Sequence, residues 1–208
     1  MKENNFTEKE SLELISRMIQ QTKQNLQVGS GNMLLYYGYT SVVISIAVYL
    51  LCHFTSQMYW HNLWFLMFIP MIYERIIQNK RKPSVVTYMD RSIANLWKVI
   101  NALLVVTVLT ILIMGIFMKV FILIPMLPLA LLYVGIGIAC MGVIMNEKSM
   151  TYFPLISFVI SIYMLISLLM NGSFSLEWNL LGGLSFLLML VVPGHILNYK
   201  SLKQCSKN

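Results

Sequence analysis

Long apolar runs separated by short polar stretches dominate the chain. A helix needs about 20 mostly apolar residues to cross the ~30 Å hydrocarbon core of a bilayer, because it rises ~1.5 Å per residue. Six runs approach that length; they cover residues 33–52, 58–77, 99–118, 121–144, 152–170 and 180–199. The pattern predicts an all-α, polytopic membrane bundle of six transmembrane helices, whose short connections make successive helices antiparallel neighbours.

Two of these runs depart from a plain span. Pro70 interrupts the second run, and Glu74 and Arg75 fall within its last turns. The fourth run contains Pro125 and Pro128, which predict a kinked or tilted helix. The second run is retained as a span mainly because of the distribution of charge.

Basic residues lie almost entirely on one side of the predicted bundle. Of the 15 Lys and Arg, all except Lys119 fall on one side of the six spans. Cytoplasmic ends of membrane proteins carry an excess of Lys and Arg, so both termini are expected in the cytoplasm. An odd number of spans would break the alternation, and the asymmetry therefore supports keeping the second run.

The composition agrees with a lipid environment. The chain is 58% hydrophobic and 11% charged, too few charges to cover a soluble domain of 208 residues. The net charge of +7 is scattered between apolar runs rather than gathered in a groove, so no nucleic-acid interface is predicted. The first residues have no uninterrupted apolar core, and a cleavable signal peptide is not expected. Three isolated cysteines without a CxxC pair predict neither a disulfide framework nor a metal or cofactor site.

Amphipathic patterns precede the first and third spans. Thr7 and Glu10 have the spacing of a capping box, and apolar residues then recur at near-heptad intervals. These residues are Leu12, Ile15, Ile19 and Leu26. Residues 1–28 are therefore predicted to form a cytoplasmic amphipathic helix that ends at Gly29, Ser30 and Gly31.

The second pattern follows Pro83. Val86, Met89, Ile93 and Trp97 recur at helical spacing, so residues 84–97 are predicted to be helical and to run into the third span. Residues 33–199 then form one membrane domain, and residues 200–208 form a cytoplasmic tail. Segments 7–28 and 84–97 are candidate binding surfaces for a protein partner or for the inner leaflet.

Ionisable residues inside a bilayer are costly, which makes each one a functional candidate. Glu74 and Arg75 project in different directions from one helix, so Glu74 needs a partner elsewhere, and Arg91 or Lys98 could supply it. The functional interpretation is a proton or ion gate near the cytoplasm. The alternative, which we favour, is a pair of interfacial side chains that extend to water.

A second candidate lies near the inner end of the sixth run, in the segment VVPGHILNY. Pro193 cannot donate a hydrogen bond to the carbonyl of Met189, so a bent turn with a free acceptor is predicted beside His195 and Asn198. Small transporters often build binding sites from broken helices of this kind. The alternative, again favoured, is a kink that ends in polar anchors.

Other motifs have structural interpretations. Gly135 and Ala139 form a small-xxx-small pattern that lets a neighbouring helix approach closely. The 16 Met residues invite a copper-transport hypothesis, because three pairs, such as Met67 with Met71, are spaced four residues apart. Each pair lies on a different span, however, and none has a supporting Cys or His. No GxSxG, HExxH or paired intramembrane Asp supports an enzyme.

Several segments carry a resemblance to a known family. ESLELISRMI, YYGYTSVVIS, TYMDRSIANLWKV and VPGHILNY together resemble an uncharacterised family of small six-span bacterial inner-membrane proteins. The resemblance covers nearly the whole chain. It implies a bacterial inner-membrane location, and it carries no known activity or substrate.

Three functions remain open from the sequence. The first is an accessory or regulatory membrane protein whose cytoplasmic amphipathic helices bind a partner. The second is a small transporter or channel subunit gated near Glu74, His195 and Asn198, with a homo-oligomer supplying the pathway. The third is a membrane-embedded enzyme that modifies lipid, which would require polar residues from several spans at one depth. We rank the first narrowly ahead.

Overall fold

A computed structural model describes residues 8–67, 69, 70, 73, 76, 88–118, 125–171 and 175–205. Helices account for nearly all of this part of the chain, and it contains no strand. In chain order the elements are α1 (Glu8–Thr55), a 3₁₀ helix (Met58–Met67), α2 (Tyr88–Met118), α3 (Met126–Met145), α4 (Lys148–Asn171), α5 (Trp178–Phe186), a π turn (Leu187–Val191) and α6 (Val192–Cys205).

Within the described residues, five helical segments are long and apolar enough to cross a membrane. They are Gly31–Thr55, Tyr88–Phe117, Met126–Met145, Lys148–Met170 and Trp178–Lys203. Each overlaps one of the predicted runs. Because their length and composition are those of membrane spans, the chain is an α-helical membrane protein.

The second predicted span is not among these five segments. Its first half, Met58–Met67, is a 3₁₀ helix, and only scattered positions after it are described, all of them helical. A run of ten residues is long for a 3₁₀ helix, whose hydrogen-bond geometry is poorer than that of an α-helix. Six spans therefore remain a prediction.

The first amphipathic helix does not end at residues 29–31, where the sequence predicted that it would. α1 continues through Gly29, Ser30 and Gly31 and is unbroken for 48 residues. A Cβ atom on Gly31 would overlap the side chain of Asn198 in α6 and lie 3.2 Å from the carbonyl oxygen of Gly194. Gly31 thus serves close helix packing, and its helix-propensity cost of about 1 kcal/mol is offset by contact with α6.

The prolines of the fourth run also act differently from the expected kink. α3 begins at Met126, so Pro125 precedes it and Pro128 lies in its first turn. The first N–H groups of a helix have no partner inside the helix, so proline loses nothing there. The expected irregularity before Pro193 is present, as a π turn between α5 and α6.

The helices of the bundle differ in how deeply they are buried. α1 packs along α5, the π turn and α6, while α3 and α4 form a hairpin whose turn begins with left-handed Asn146. In the Trp178–Lys203 segment, 56% of the apolar window is buried, against 11% in α2. α5 and α6 therefore lie at the centre, and α2, which packs against α3, lies at the edge.

Residues 84–97 were expected to form a helix that enters the third span. Residues 88–97 do so as the first turns of α2, whereas 84–87 lie outside the described residues.

Two glycines of α3 provide a matched stability test. A Cβ at Gly142 would lie 2.7 Å from backbone atoms of Met150 and Thr151, whereas a Cβ at Gly137 would lie at ordinary contact distance, 3.4 Å, from Ile100. Gly142→Ala should destabilise the protein by about 1–3 kcal/mol because the helix backbones must separate. Gly137→Ala should be neutral or stabilising by up to about 1 kcal/mol. Thermal unfolding in detergent measures both, and equal effects would contradict this account of the α3–α4 hairpin.

Candidate functional site

His195 and Asn198 lie where α6 packs against Gly31–Thr55, the membrane segment of α1. The Tyr39 hydroxyl oxygen is 2.7 Å from His195 Nε2, and the two rings meet edge to face with centroids 6.0 Å apart. One turn further along, Asn198 Nδ2 donates a hydrogen bond of 2.8 Å to Asn32 Oδ1. These four side chains are called the α1–α6 seam.

Small residues bring the two helices together beneath the seam. A Cβ on Gly38 would lie 3.2 Å from the backbone nitrogen of Val191, and a Cβ on Gly194 would lie 3.0 Å from the Leu35 side chain. The π turn precedes this contact, and the N–H of Val192 donates to the carbonyl of Leu187 across it. The extra residue in that turn places Pro193, which lacks an N–H, at the start of α6.

The seam faces outward rather than into a space between helices. Tyr39 is 50% exposed, and His195 and Asn32 are also exposed. Asn198 is half-buried. The structure therefore brings His195 and Asn198 together with two residues of α1, Asn32 and Tyr39, that the sequence interpretation missed. Their only sequence signal was the spacing of polar residues on one face of an apolar helix.

The sequence also predicted that Glu74 pairs with Arg91 or Lys98. Glu74 and Arg75 lie outside the described residues. Arg91 is exposed on α2, and Lys98 Nζ donates to Asn95 Oδ1 at 3.2 Å on the same helix. A contact between Glu74 and Arg91 or Lys98 thus stays a prediction.

A salt bridge that the sequence did not suggest joins the α3–α4 turn to α6. Lys200 Nζ lies 2.5 Å from Glu147 Oε2, and the side chains are 48% and 11% exposed, respectively. Glu147 appears in the sequence as a loop residue and Lys200 as part of a tail, so neither was singled out. The pair fixes the end of α6 to the end of the α3–α4 hairpin.

A buried polar network at the opposite end joins α1, the 3₁₀ helix and α5. Asn179, which is fully buried, accepts a hydrogen bond from Trp64 Nε1 at 3.2 Å and donates to the carbonyl of Leu176 at 3.2 Å. Its amide nitrogen also lies 3.2 Å from His61 Nε2. His61 Nδ1 in turn lies 3.7 Å from Cys52 Sγ.

The backbone of Asn179 is tied to α1 as well. Ser45 Oγ, which is buried, donates to the backbone oxygen of Asn179 at 2.5 Å. A sequence signal for this network existed only in Asn179, a carboxamide at the start of an apolar span. Cys52 and His61 resembled an ordinary core residue and an interfacial residue.

The Cys52, His61 and Asn179 side chains have the connectivity of a cysteine nucleophile, but the hydrogen bonds run in the opposite direction. Trp64 and Leu176 fix the orientation of the Asn179 amide, so its nitrogen donates to His61 Nε2. The neutral imidazole then carries its hydrogen on Nδ1, facing Cys52. Nucleophilic catalysis requires a free lone pair there to accept the thiol proton. The network instead holds the 3₁₀ helix against α1 and α5.

The predicted small-residue pattern lies at the α3–α4 contact. Gly135 is buried, and a Cβ there would lie 2.8 Å from the Phe158 ring of α4, while Ala139 is half-buried one turn later. Gly142 makes the closer approach to backbone. Among the described residues, no group of three or more His, Cys, Asp or Glu side chains could hold a metal ion.

Comparison with known proteins places the chain in no group. It matches no protein-family model, no curated protein and no solved structure. The fold therefore assigns the chain to the class of α-helical membrane proteins and to no narrower group.

The Asn179 network predicts a specific sensitivity to mutation. Asn179→Leu keeps the number of heavy side-chain atoms and the branched shape but removes the acceptor of the Trp64 N–H, which should cost about 1–3 kcal/mol of stability. Asn62→Leu, on the exposed side of the 3₁₀ helix that contains Trp64, should change stability by less than about 0.5 kcal/mol. Unfolding midpoints in detergent compare the two. Similar midpoints would show that the network does not hold the 3₁₀ helix.

The salt bridge predicts an energetic coupling. Lys200→Met should destabilise the protein by about 1–2 kcal/mol, because the nearly buried Glu147 carboxylate loses its counter-charge. The control, Lys203→Met, should have little effect. Adding Glu147→Gln to Lys200→Met should recover much of the loss. A double-mutant cycle measures the coupling, and strictly additive effects would contradict the pairing.

Proposed function

We propose that this protein is an accessory or regulatory protein of the bacterial inner membrane, with six spans and cytoplasmic termini. In this proposal residues 8–30 form a cytoplasmic arm that binds a protein partner. The observation that supports it is the continuity of α1, which runs without a break from the arm through the first membrane segment.

Continuity matters because an unbroken helix transmits displacement. At ~1.5 Å per residue, α1 is ~72 Å long, about twice what a bilayer requires. A partner that moves the arm also moves the half of α1 that packs on α5 and α6. The seam and the close glycine contacts make that packing rigid, so binding in the cytoplasm can change the arrangement of the membrane domain.

The distribution of charge favours this function over transport. Within the described membrane segments, the deepest Asp, Glu, Lys or Arg is Lys98, ten residues from the start of α2. Transporters commonly place such residues along the substrate pathway. His195 and Asn198 lie on the outer face of the α1–α6 contact, so a pathway past them would need a second copy of the chain.

The charge asymmetry supports the orientation. The arm carries Lys9, Arg17 and Lys23, and the other end of the same membrane segment leads to a loop without Lys or Arg. By the positive-inside rule, the arm is cytoplasmic. Leu12 belongs to its apolar stripe and is 67% exposed, so this side chain is available to a partner.

Site-specific photo-crosslinking in cells tests the proposal. A photoreactive residue at Leu12 should yield a discrete adduct with one protein, identified by mass spectrometry. Phe54, which is 79% exposed at the far end of α1, is the matched control and should yield no such adduct.

Two results would argue against the proposal. One is the absence of any protein adduct from Leu12, and the other is the same adduct from both positions. A partner identified at Leu12 should also be lost on deletion of residues 1–28.

A further inference from the structure

Within the described residues, the α1–α6 seam retains hydrogen-bond donors that its own two bonds do not use. A neutral imidazole has one N–H and a tyrosine one O–H, so the bond between Tyr39 and His195 uses one of these and leaves the other free, whichever tautomer is present. The bond between Asn198 and Asn32 uses one amide N–H of the pair and leaves the rest free. Within the described residues, these four side chains make no other hydrogen bond.

The seam lies near the ends of two apolar helical segments, one of which begins at Gly31 and the other of which ends at Lys203. Lys200 and Glu147 mark a polar boundary, and His195 is five residues before Lys200, ~7.5 Å deeper along α6. Asn198 lies ~4.5 Å above His195. Unused donors at this depth are costly against hydrocarbon, and the groups that lie here in a bilayer are ester carbonyls and phosphate oxygens, which are acceptors only.

The charge above the seam favours an anionic headgroup. Lys200 is engaged by Glu147, whereas Lys203, one turn nearer the end of α6, is exposed and forms no ion pair within the described residues. Below the seam, α1 presents an exposed apolar strip suited to an acyl chain. The strip consists of Val43, Ile46 and Leu50.

We propose that the α1–α6 seam, together with Lys203, is a binding site for one anionic phospholipid. The phosphate lies between Asn198 and Lys203, an ester carbonyl accepts from the Tyr39 and His195 pair, and an acyl chain follows the strip on α1. The site does not depend on a protein partner of the cytoplasmic arm.

Lipid selectivity in nanodiscs tests this site with the full-length protein. Spin-labelled phosphatidylglycerol and phosphatidylcholine report their relative association by electron paramagnetic resonance. The unmodified protein should prefer phosphatidylglycerol about fivefold, the factor expected for one basic side chain at a membrane surface. Lys203→Gln should abolish that preference.

Matched variants separate the site from general effects. Lys98→Gln removes an exposed basic residue from α2 and should leave the preference intact. Tyr39→Phe should weaken association of both lipids about threefold, because the ester carbonyl is common to them. Tyr163→Phe, which alters a 57% exposed tyrosine on α4, should weaken neither.

The proposal is overturned if the unmodified protein shows no preference. It is also overturned if Lys98→Gln lowers the preference as much as Lys203→Gln, or if Tyr39→Phe and Tyr163→Phe behave alike. Each substituted residue is exposed or changes by a single hydroxyl, so folding is expected to persist, and elution as a single species checks it.

Discussion

Close backbone contact between α1 and α6 is the constraint on which the other features depend. Lipid offers no hydrophobic drive for two apolar helices to associate, so small residues and hydrogen bonds must hold them. Gly31, Gly38 and Gly194 allow the approach. A Cβ on Gly31 or Gly38 would overlap a facing side chain, and one on Gly194 would lie only 3.0 Å from Leu35. The same contact explains why α1 does not break at its glycines and why the polar pairs of the seam can form.

Polar side chains secure the bundle at both ends. At one end the seam and the bridge from Glu147 to Lys200 attach α6 to α1 and to the α3–α4 hairpin. At the other end, buried Asn179 attaches the 3₁₀ helix to α5. In a low-dielectric interior such bonds are strong when satisfied and costly when broken, so they define one arrangement among helices whose apolar surfaces are otherwise similar. The middle of the bundle packs methionine, aliphatic and aromatic side chains, and there the buried Ser157 hydroxyl donates to the carbonyl of Ser185.

Hydropathy was sufficient to find five membrane segments, since run length depends only on bilayer thickness. The missing N–H of Pro193 indicated the irregular turn before α6. The continuity of α1 could not be predicted, because a glycine that ends a helix and one that packs a helix look alike until the facing side chain, here Asn198, is known. His195 and Asn198 were visible as polar residues in an apolar run. Their partners Asn32 and Tyr39, and the contact of Glu147 with Lys200, required knowledge of which helices are neighbours.

The continuity of α1 is the central claim, and one distance tests it directly. Spin labels at Ser16 and Ile46, both exposed, flank the three residues at which a break was first expected. Double electron–electron resonance on the full-length protein in nanodiscs, with the native cysteines replaced, should give a narrow distribution near ~45 Å, the length of 30 helical residues. A broad distribution centred well below that value would show that the arm and the first membrane segment are separate helices, and would contradict the account.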